Sequence, residues 1–243
     1  MIFAVEVDRL NKFYGKFHAL KDVSFKVYVG EIYGLIGPNG AGKTTTLRII
    51  STLLLPSSGI IKVFGMDVVN DAEKIKGIIS YLPEEAGAYK YLTGYEYLHF
   101  MASLYTNDKT RIKEMIEEAE VICGLGERLK DRIGTYSKGM LRRLLVARSL
   151  MIHPKLAILD EPTAGLDVIH SHYIRNIIRD YVKKHNITVI MSSHNMLEVE
   201  YLCDRVSLIH EGRIVLEGSP IDLKNKFSAD NLEEVFSRVV KYA

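Results

Sequence analysis

The eight residues Gly37-Pro38-Asn39-Gly40-Ala41-Gly42-Lys43-Thr44 constrain this chain more than any other stretch. They fit G-x-x-x-x-G-K-[ST], and their flanks supply the context the pattern needs. Ile32-Tyr33-Gly34-Leu35-Ile36 reads as a short buried strand, while Thr45 to Leu54 puts Leu47, Ile50, Leu53 and Leu54 near one helical face. A glycine-rich loop between strand and helix lets backbone N–H groups converge on phosphate oxygens at the positive end of the helix dipole. Pro38, Asn39 and Ala41 complete the cradle, Thr45 continues it into the helix, Lys43 can reach outer phosphates, and the Thr44 hydroxyl can ligate Mg2+.

A second constellation stands far downstream. The apolar run Leu156-Ala157-Ile158-Leu159 ends in Asp160-Glu161-Pro162-Thr163. A carboxylate at the tip of a buried parallel strand can hold Mg2+ beside a nucleotide, and the next one can polarise an attacking water. Asp160 is assigned to the metal and Glu161 to the water.

Read in order, Val5, Val7 and Arg9 alternate with Glu6 and Asp8, and Val23, Phe25 and Val27 with Ser24 and Lys26. The opening is therefore expected to be antiparallel strands with Tyr14 in the loop between them. A strand over Ile60–Phe64, a short helix over 71–76 and a buried strand over Ile78–Leu82 follow. From Glu85 to Pro154 the periodicity turns helical, with Ile112, Met115, Ile116 and Ala119 on one face, and a helix expected from Ser137 to Met151. Strand signals resume at 156–159 and Thr188–Met191 around a helical stretch from Ser171 to Lys184, which implies a parallel sheet. A hairpin around Glu211-Gly212 and a helical tail through Val240 close the chain.

Composition sets outer bounds. The 243 residues carry 47% hydrophobic content, ample for a packed core, and a formal net charge of +2 gives no footprint for nucleic acid. The two cysteines, Cys123 and Cys203, sit in no ligand-spaced cluster, which fits a reducing cytosol and argues against thiol-bound zinc. The residues Met1-Ile2-Phe3-Ala4-Val5-Glu6 lack a basic stretch followed by an apolar signal core, and no apolar run approaches the roughly 18 residues needed to cross a bilayer. The absence of Gln and Trp leans weakly toward a heat-adapted source.

The order of motifs resembles the nucleotide-binding domains of ABC ATPases over nearly the whole chain: Tyr14, the loop Gly37 to Thr44, Tyr136-Ser137-Lys138-Gly139-Met140, Leu159-Asp160-Glu161-Pro162, Ala164-Gly165-Leu166-Asp167, then Ser192-Ser193-His194. The resemblance implies one α/β P-loop NTPase domain with a mostly parallel core sheet, an N-terminal antiparallel β subdomain and an inserted helical subdomain. Its boundaries are expected near 1–84 and 155–218 for the nucleotide-binding core, 85–154 for the helices and 219–243 for the tail. It implies that Tyr14 stacks on the adenine of ATP, that Ser137 and Gly139 reach the outer phosphate of ATP held by a second copy, that Asp167 joins the copies, and that His194 contacts the outer phosphate. Lys43, Glu161 and His194 would carry hydrolysis in a head-to-tail dimer of this chain, or of this chain with a homologous subunit. A non-transport regulatory or nucleic-acid-associated ABC ATPase and a small-molecule kinase are the competing classes. The single nucleotide domain and near-neutral charge stand against the first, the ordered Ser137 and His194 motifs against the second.

Two departures from the family pattern carry information. Its serine-glycine-glycine-glutamine signature is here Ser137-Lys138-Gly139-Met140, with a cation where the helix dipole disfavours it by roughly 0.3 to 1 kcal/mol. Lys138 is either near the partner's ATP phosphates or a solvated side chain. The glutamine that bridges Mg2+ and the membrane subunit is here Glu84, with Glu85 an open alternative; a carboxylate there can tighten Mg2+ binding. Six of the fourteen tyrosines fall between Tyr81 and Tyr105. The resemblance places a groove for a helix of a membrane-spanning permease at Glu84 to Tyr97, against the alternative that these rings pack the helical subdomain. It also implies a cytoplasmic protein, peripheral on the inner face of the membrane through its permease. Leu82-Pro83-Glu84-Glu85, Met140 and Asn231–Phe236 resemble the branch serving multidrug, antibiotic, sodium or lipid-linked exporters.

Overall fold

A computed structural model of the chain describes residues 3–241, so the first two residues and the last two of the expected tail lie outside it. Strands β1 (Phe3–Tyr14) and β2 (Phe17–Tyr28) open the fold, followed by β3 (Ile32–Ile36), α1 (Lys43–Ile50), β4 (Ser58–Val63), β5 (Met66–Asp67), α2 (Ala72–Lys76) and β6 (Ile79–Leu82). A helical segment holds α3 (Gly94–Ser103), α4 (Lys109–Cys123) and α5 (Lys138–Leu150), with two short 3-10 turns between the last two. The chain returns through β7 (Leu156–Asp160), α6 (Val168–His185), β8 (Thr188–Ser193), α7 (Met196–Leu202), β9 (Arg205–His210) and β10 (Arg213–Gly218), then ends in α8 (Pro220–Phe227) and α9 (Leu232–Lys241).

The larger sheet runs β10-β9-β3-β8-β7-β6, parallel except for the β9–β10 pair. Its central strands are buried on both faces, which is why they read as unbroken apolar runs. Alternate residues feed two cores. Ile32, Ile36, Ala157, Leu159, Val189 and Met191 join one with the helical segment, whereas Tyr33, Leu35, Leu156, Ile158 and Ile190 join the other with α1 and the small sheet. That second sheet, β2-β1-β4-β5, is antiparallel. The outcome for function is a shared edge: Ile36 pairs with Ser193 and Asp160 with Ser192, so the loops leaving β3, β7 and β8 emerge side by side.

Several local expectations are corrected. Tyr14 is the last residue of β1, paired with Phe17 across a turn of Gly15 and Lys16, because Gly15 takes a left-handed φ of 56° and closes the hairpin tightly. Arg9 does not continue the inward alternation: a bulge with φ 48° at Arg9 shifts the register, and Leu10 is the buried residue instead. Helix α1 stops at Ile50 rather than Leu54, since Thr52 turns left-handed, and Leu53 is 61% exposed. The tail is two helices, parted where Ser228 adopts a left-handed φ. Both cysteines are buried and free, and no helix among the described residues is long and apolar enough to cross a membrane.

Candidate active site

The phosphate loop owes its shape to glycines with no room for a side chain. A Cβ on Gly37 would collide with the Ile209 carbonyl oxygen, and Gly42, at φ 111°, lies under Leu20 where it caps α1. Lys43 is buried; its Nζ donates to the carbonyl oxygens of Gly37 (2.7 Å) and Pro38 (3.2 Å) and lies 3.3 Å from Glu161 Oε1. The backbone thus presents the ammonium over the loop's mouth with one carboxylate opposite it.

Asp160 is fully buried at the end of β7, and its side-chain partners are hydroxyls. Ser192 Oγ donates to Oδ1 at 2.5 Å and Thr44 Oγ1 donates to the same oxygen at 3.1 Å, while the Tyr81 hydroxyl is 3.4 Å from Oδ2. Burial, and then the Asp160 charge, push the Tyr81 phenol above its ordinary pKa, so it remains a donor. A buried carboxylate beside a threonine hydroxyl at a phosphate loop is an oxygen-only donor set, the chemistry that suits a hard cation such as Mg2+. Thr44 and Asp160 therefore fit the metal; the exposed Glu84 lies across the same cavity.

Glu161 follows in a left-handed conformation, φ 49°, that turns its side chain toward the loop, and its N–H is tied to Ser192 Oγ at 2.9 Å. Oε2 is 2.8 Å from His194 Nδ1, and Oε1 is buried with no hydrogen-bond partner, facing Lys43. One carboxylate oxygen thereby orients His194, whose half-exposed ring has Nε2 left over, while the other is poised to accept from a water.

A cavity of about 350 Å3 joins Tyr14, Asn39, Gly40, Gly42, Lys43, Thr44, Thr45, Glu84 and Glu161. Glu84, not Glu85, is the residue lining it. Ser137, Gly139 and Asp167 are not on its wall. Ser137 caps α5, accepting from Met140 N–H at 3.2 Å, and Asp167 caps α6, accepting from His170 N–H at 2.8 Å. Gly139 is buried beneath the His170 ring, which leaves no space for a Cβ. Lys138 is exposed and folds onto Gly165 of its own chain, so the first position of α5 holds a cation lying over backbone.

Sequence reasoning missed four participants. Phe17 and Ala19 share the cavity wall with Tyr14, and Phe17 is 66% exposed, an aromatic signal that was there to be read. Glu198, buried on α7, accepts from Thr163 Oγ1 at 2.6 Å and Ser193 Oγ at 2.9 Å, linking the turn after β7 to the end of β8; burial raises its pKa. The most connected is Arg142 on α5. Its Nε donates to Pro162 O (2.8 Å), Nη1 to Pro83 O (3.1 Å) and Glu84 O (3.0 Å), and Nη2 to Asp160 O (2.8 Å) and Glu161 O (2.7 Å). All five guanidinium donors are thus spent on carbonyls of the two segments that carry Glu84, Asp160 and Glu161. Burial lowers its pKa to about 10, still well inside the charged range at neutral pH.

Comparison with known proteins agrees with this geometry. Residues 20–164 match the family described as ABC transporter. The linearmycin resistance ATP-binding protein of Bacillus subtilis (strain 168) is 38% identical over 94% of this chain and 73% of its own length. The bacitracin transport ATP-binding protein of Bacillus licheniformis is 39% identical over 94% of this chain and 74% of its own. A solved ATP-binding subunit of an ABC transporter superposes with a TM-score of 0.86 at 29% identity, covering 98% of this chain and 99% of that one. With a phosphate loop, a buried Asp160-Glu161 pair and His194 gathered at one sheet edge, and relatives of this similarity across nearly its whole length, the chain belongs to the ABC transporter family as one of its ATP-binding ATPase subunits.

Proposed function

We propose that this subunit hydrolyses Mg-ATP in a nucleotide-sandwich dimer and so drives a separate membrane permease, in the exporter branch of the family. The observation that carries the reading is the convergence of Lys43, Thr44, Glu161 and Glu84 on one cavity, with Asp160 behind Thr44 and His194 behind Glu161. Tyr14, flanked by Phe17, offers its ring to adenine; the backbone of Gly37 to Thr45 wraps the phosphates. Thr44 and Asp160 would hold Mg2+, which would supply charge neutralisation at the phosphate oxygens. Glu161 Oε1 orients the attacking water, and Lys43 moves from its backbone carbonyls onto the outer phosphate.

The dimer is favoured by what lies outside the cavity. Ser137 and Asp167 are exposed, and Val168 and Ile169 are 80% and 81% exposed beside Asp167 at the start of α6. Apolar side chains so displayed next to exposed polar ones suit a surface covered by a second copy, whose ATP would meet Ser137 and the Gly139 backbone. Permease docking is read at Glu84 to Tyr97 from Tyr89 and Tyr91, 58% and 88% exposed; Tyr97 is buried and belongs to the core. Export is read from the resistance and transport relatives. The inner face of the membrane is the expected location through the permease, and residues 85–154 are taken as the subdomain that meets it. The test is phosphate release: Mg2+-dependent hydrolysis by the parent, with Glu161→Gln lowering kcat by about 100-fold or more while ATP still binds, supports the reading. Hydrolysis unchanged by Glu161→Gln contradicts it.

A further inference from the structure

Away from the nucleotide, three chemically potent side chains meet that the reaction does not use. Glu118 of α4, His153 of the connection between α5 and β7, and His185 at the end of α6 bring their ligand atoms within 4.8 Å of one another. They come from distant parts of the chain, so helical spacing does not explain their meeting. His153 reaches the cluster from a left-handed backbone, φ 51°.

The proton bookkeeping of the cluster is unusual. The Tyr181 hydroxyl donates to the Leu150 carbonyl oxygen at 2.7 Å and lies 3.1 Å from His153 Nδ1. With its one proton on Leu150, the Tyr181 oxygen accepts from His153 Nδ1–H, an arrangement that leaves Nε2 as the ring nitrogen free to ligate. That Nε2 directly faces Glu118 Oε2. On the other side His185 Nε2 is 3.0 Å from Glu118 Oε1, yet it is buried and makes no hydrogen bond. Two imidazole nitrogens and a carboxylate thus converge, and the ammonium of Lys184, 3.9 Å from Oε1, is on a side chain 72% exposed. A cation among the three ligand atoms resolves the convergence.

We propose that Glu118, His153 and His185 bind a first-row divalent transition cation of the Zn2+ class, with water completing the coordination. Imidazole nitrogen with a single carboxylate selects such ions over Mg2+ or Ca2+, which take oxygen. Zinc to nitrogen or oxygen distances of about 2.0 to 2.2 Å put tetrahedral ligand atoms roughly 3.3 Å apart, so atoms that now lie within 4.8 Å of one another close by about 1.5 Å at most, while His153 Nε2 and Glu118 Oε2, already in contact, open slightly. Tyr181 fixes the His153 tautomer, the role an outer partner plays around bound zinc. An entry path exists: Glu118, Tyr181, Lys184 and His185 line a cavity of about 470 Å3. None of the three ligands lines the nucleotide cavity, and the ion would staple α4 and α6 to the loop that leads into β7. The site is independent of the proposed transport role.

The experiment is a titration of the nucleotide-free full chain with Co2+, then displacement by Zn2+, with melting followed in parallel. The expected result is one equivalent of Co2+ with the intense visible bands of a low-symmetry, four-coordinate nitrogen and oxygen site, abolished by Zn2+, and a higher melting temperature with Zn2+ than with Mg2+. Glu118→Gln, His153→Gln and His185→Gln, which keep side-chain size, should each remove the bands, and Tyr181→Phe should weaken affinity by about tenfold. Asp160→Asn should leave the bands intact, which separates this ion from one at the nucleotide site. No such bands and no melting shift in the parent overturns the proposal without recourse to any variant. Bands that persist when His153 and His185 are both replaced overturn it as well.

Discussion

Arg142 makes the sharpest energetic prediction. Replacing it by Met keeps much of the apolar stem but removes all five N–H donors from the carbonyls of Pro83, Glu84, Asp160, Glu161 and Pro162 at the centre of the site, of which Glu161 keeps the N–H of Ala164. Each unpaired buried carbonyl costs about 1 to 3 kcal/mol, and water entering beside the exposed Glu84 relieves part of the sum. A net loss of about 3 to 5 kcal/mol follows, near the cost of breaking a buried charged network. For a chain of this size that is a fall in melting temperature of about 6 to 20 °C. Catalysis should suffer independently, because Glu161 is fixed by its backbone; a displacement of about 1 Å costs on the order of 100-fold in rate. Arg142→Lys retains the charge but not the planar fork, and should fall between parent and Arg142→Met. Urea unfolding and steady-state ATP hydrolysis on all three proteins check the numbers. An Arg142→Met protein within about 1 kcal/mol of the parent and of comparable kcat refutes the reasoning.

Other expectations follow from the same geometry. Tyr14→Ala should raise KM for ATP by about tenfold with little change in kcat, since stacking on a base is worth about 1 to 3 kcal/mol; nucleotide titration monitors it. Glu84→Gln should shift the Mg2+ dependence of hydrolysis to higher Mg2+, and superimposable curves would show that the carboxylate across the cavity does nothing for the ion. Glu198 has a folded pKa raised above its unfolded one, mainly by burial, so its contribution favours the fold at low pH and is lost as pH climbs through the raised value. Glu198→Gln should accordingly flatten the decline in stability as pH rises above the ordinary glutamate value of 4.5, read by melting curves over a pH series.

What could be read from the sequence was whatever is encoded by neighbours along the chain. The phosphate loop announces itself because Gly37 to Thr44 are contiguous, and β7 and β8 because strands covered on both faces carry unbroken apolar runs, Leu156 to Leu159 and Val189 to Met191. Local conformational switches were less visible: Arg9, Thr52 and Ser228 turn left-handed with no glycine to mark them. Hidden altogether were groups whose partners are remote in sequence. Arg142 looks like one more cation on an amphipathic helix until its fork is seen joining two loops, and Ser192 looks like strand until it reaches Asp160. Glu118, His153 and His185 have no metal-ligand spacing; only the packing of α4 against the end of α6 brings them together.

The composite site is the claim on which the functional account turns, and it is most directly tested by the solution mass of Glu161→Gln with and without Mg-ATP. Blocked hydrolysis should trap the sandwich, so a shift from monomer to dimer is expected on adding Mg-ATP, abolished by a Ser137→Arg change at the α5 cap. A protein that binds Mg-ATP yet stays monomeric at every concentration tested would contradict it.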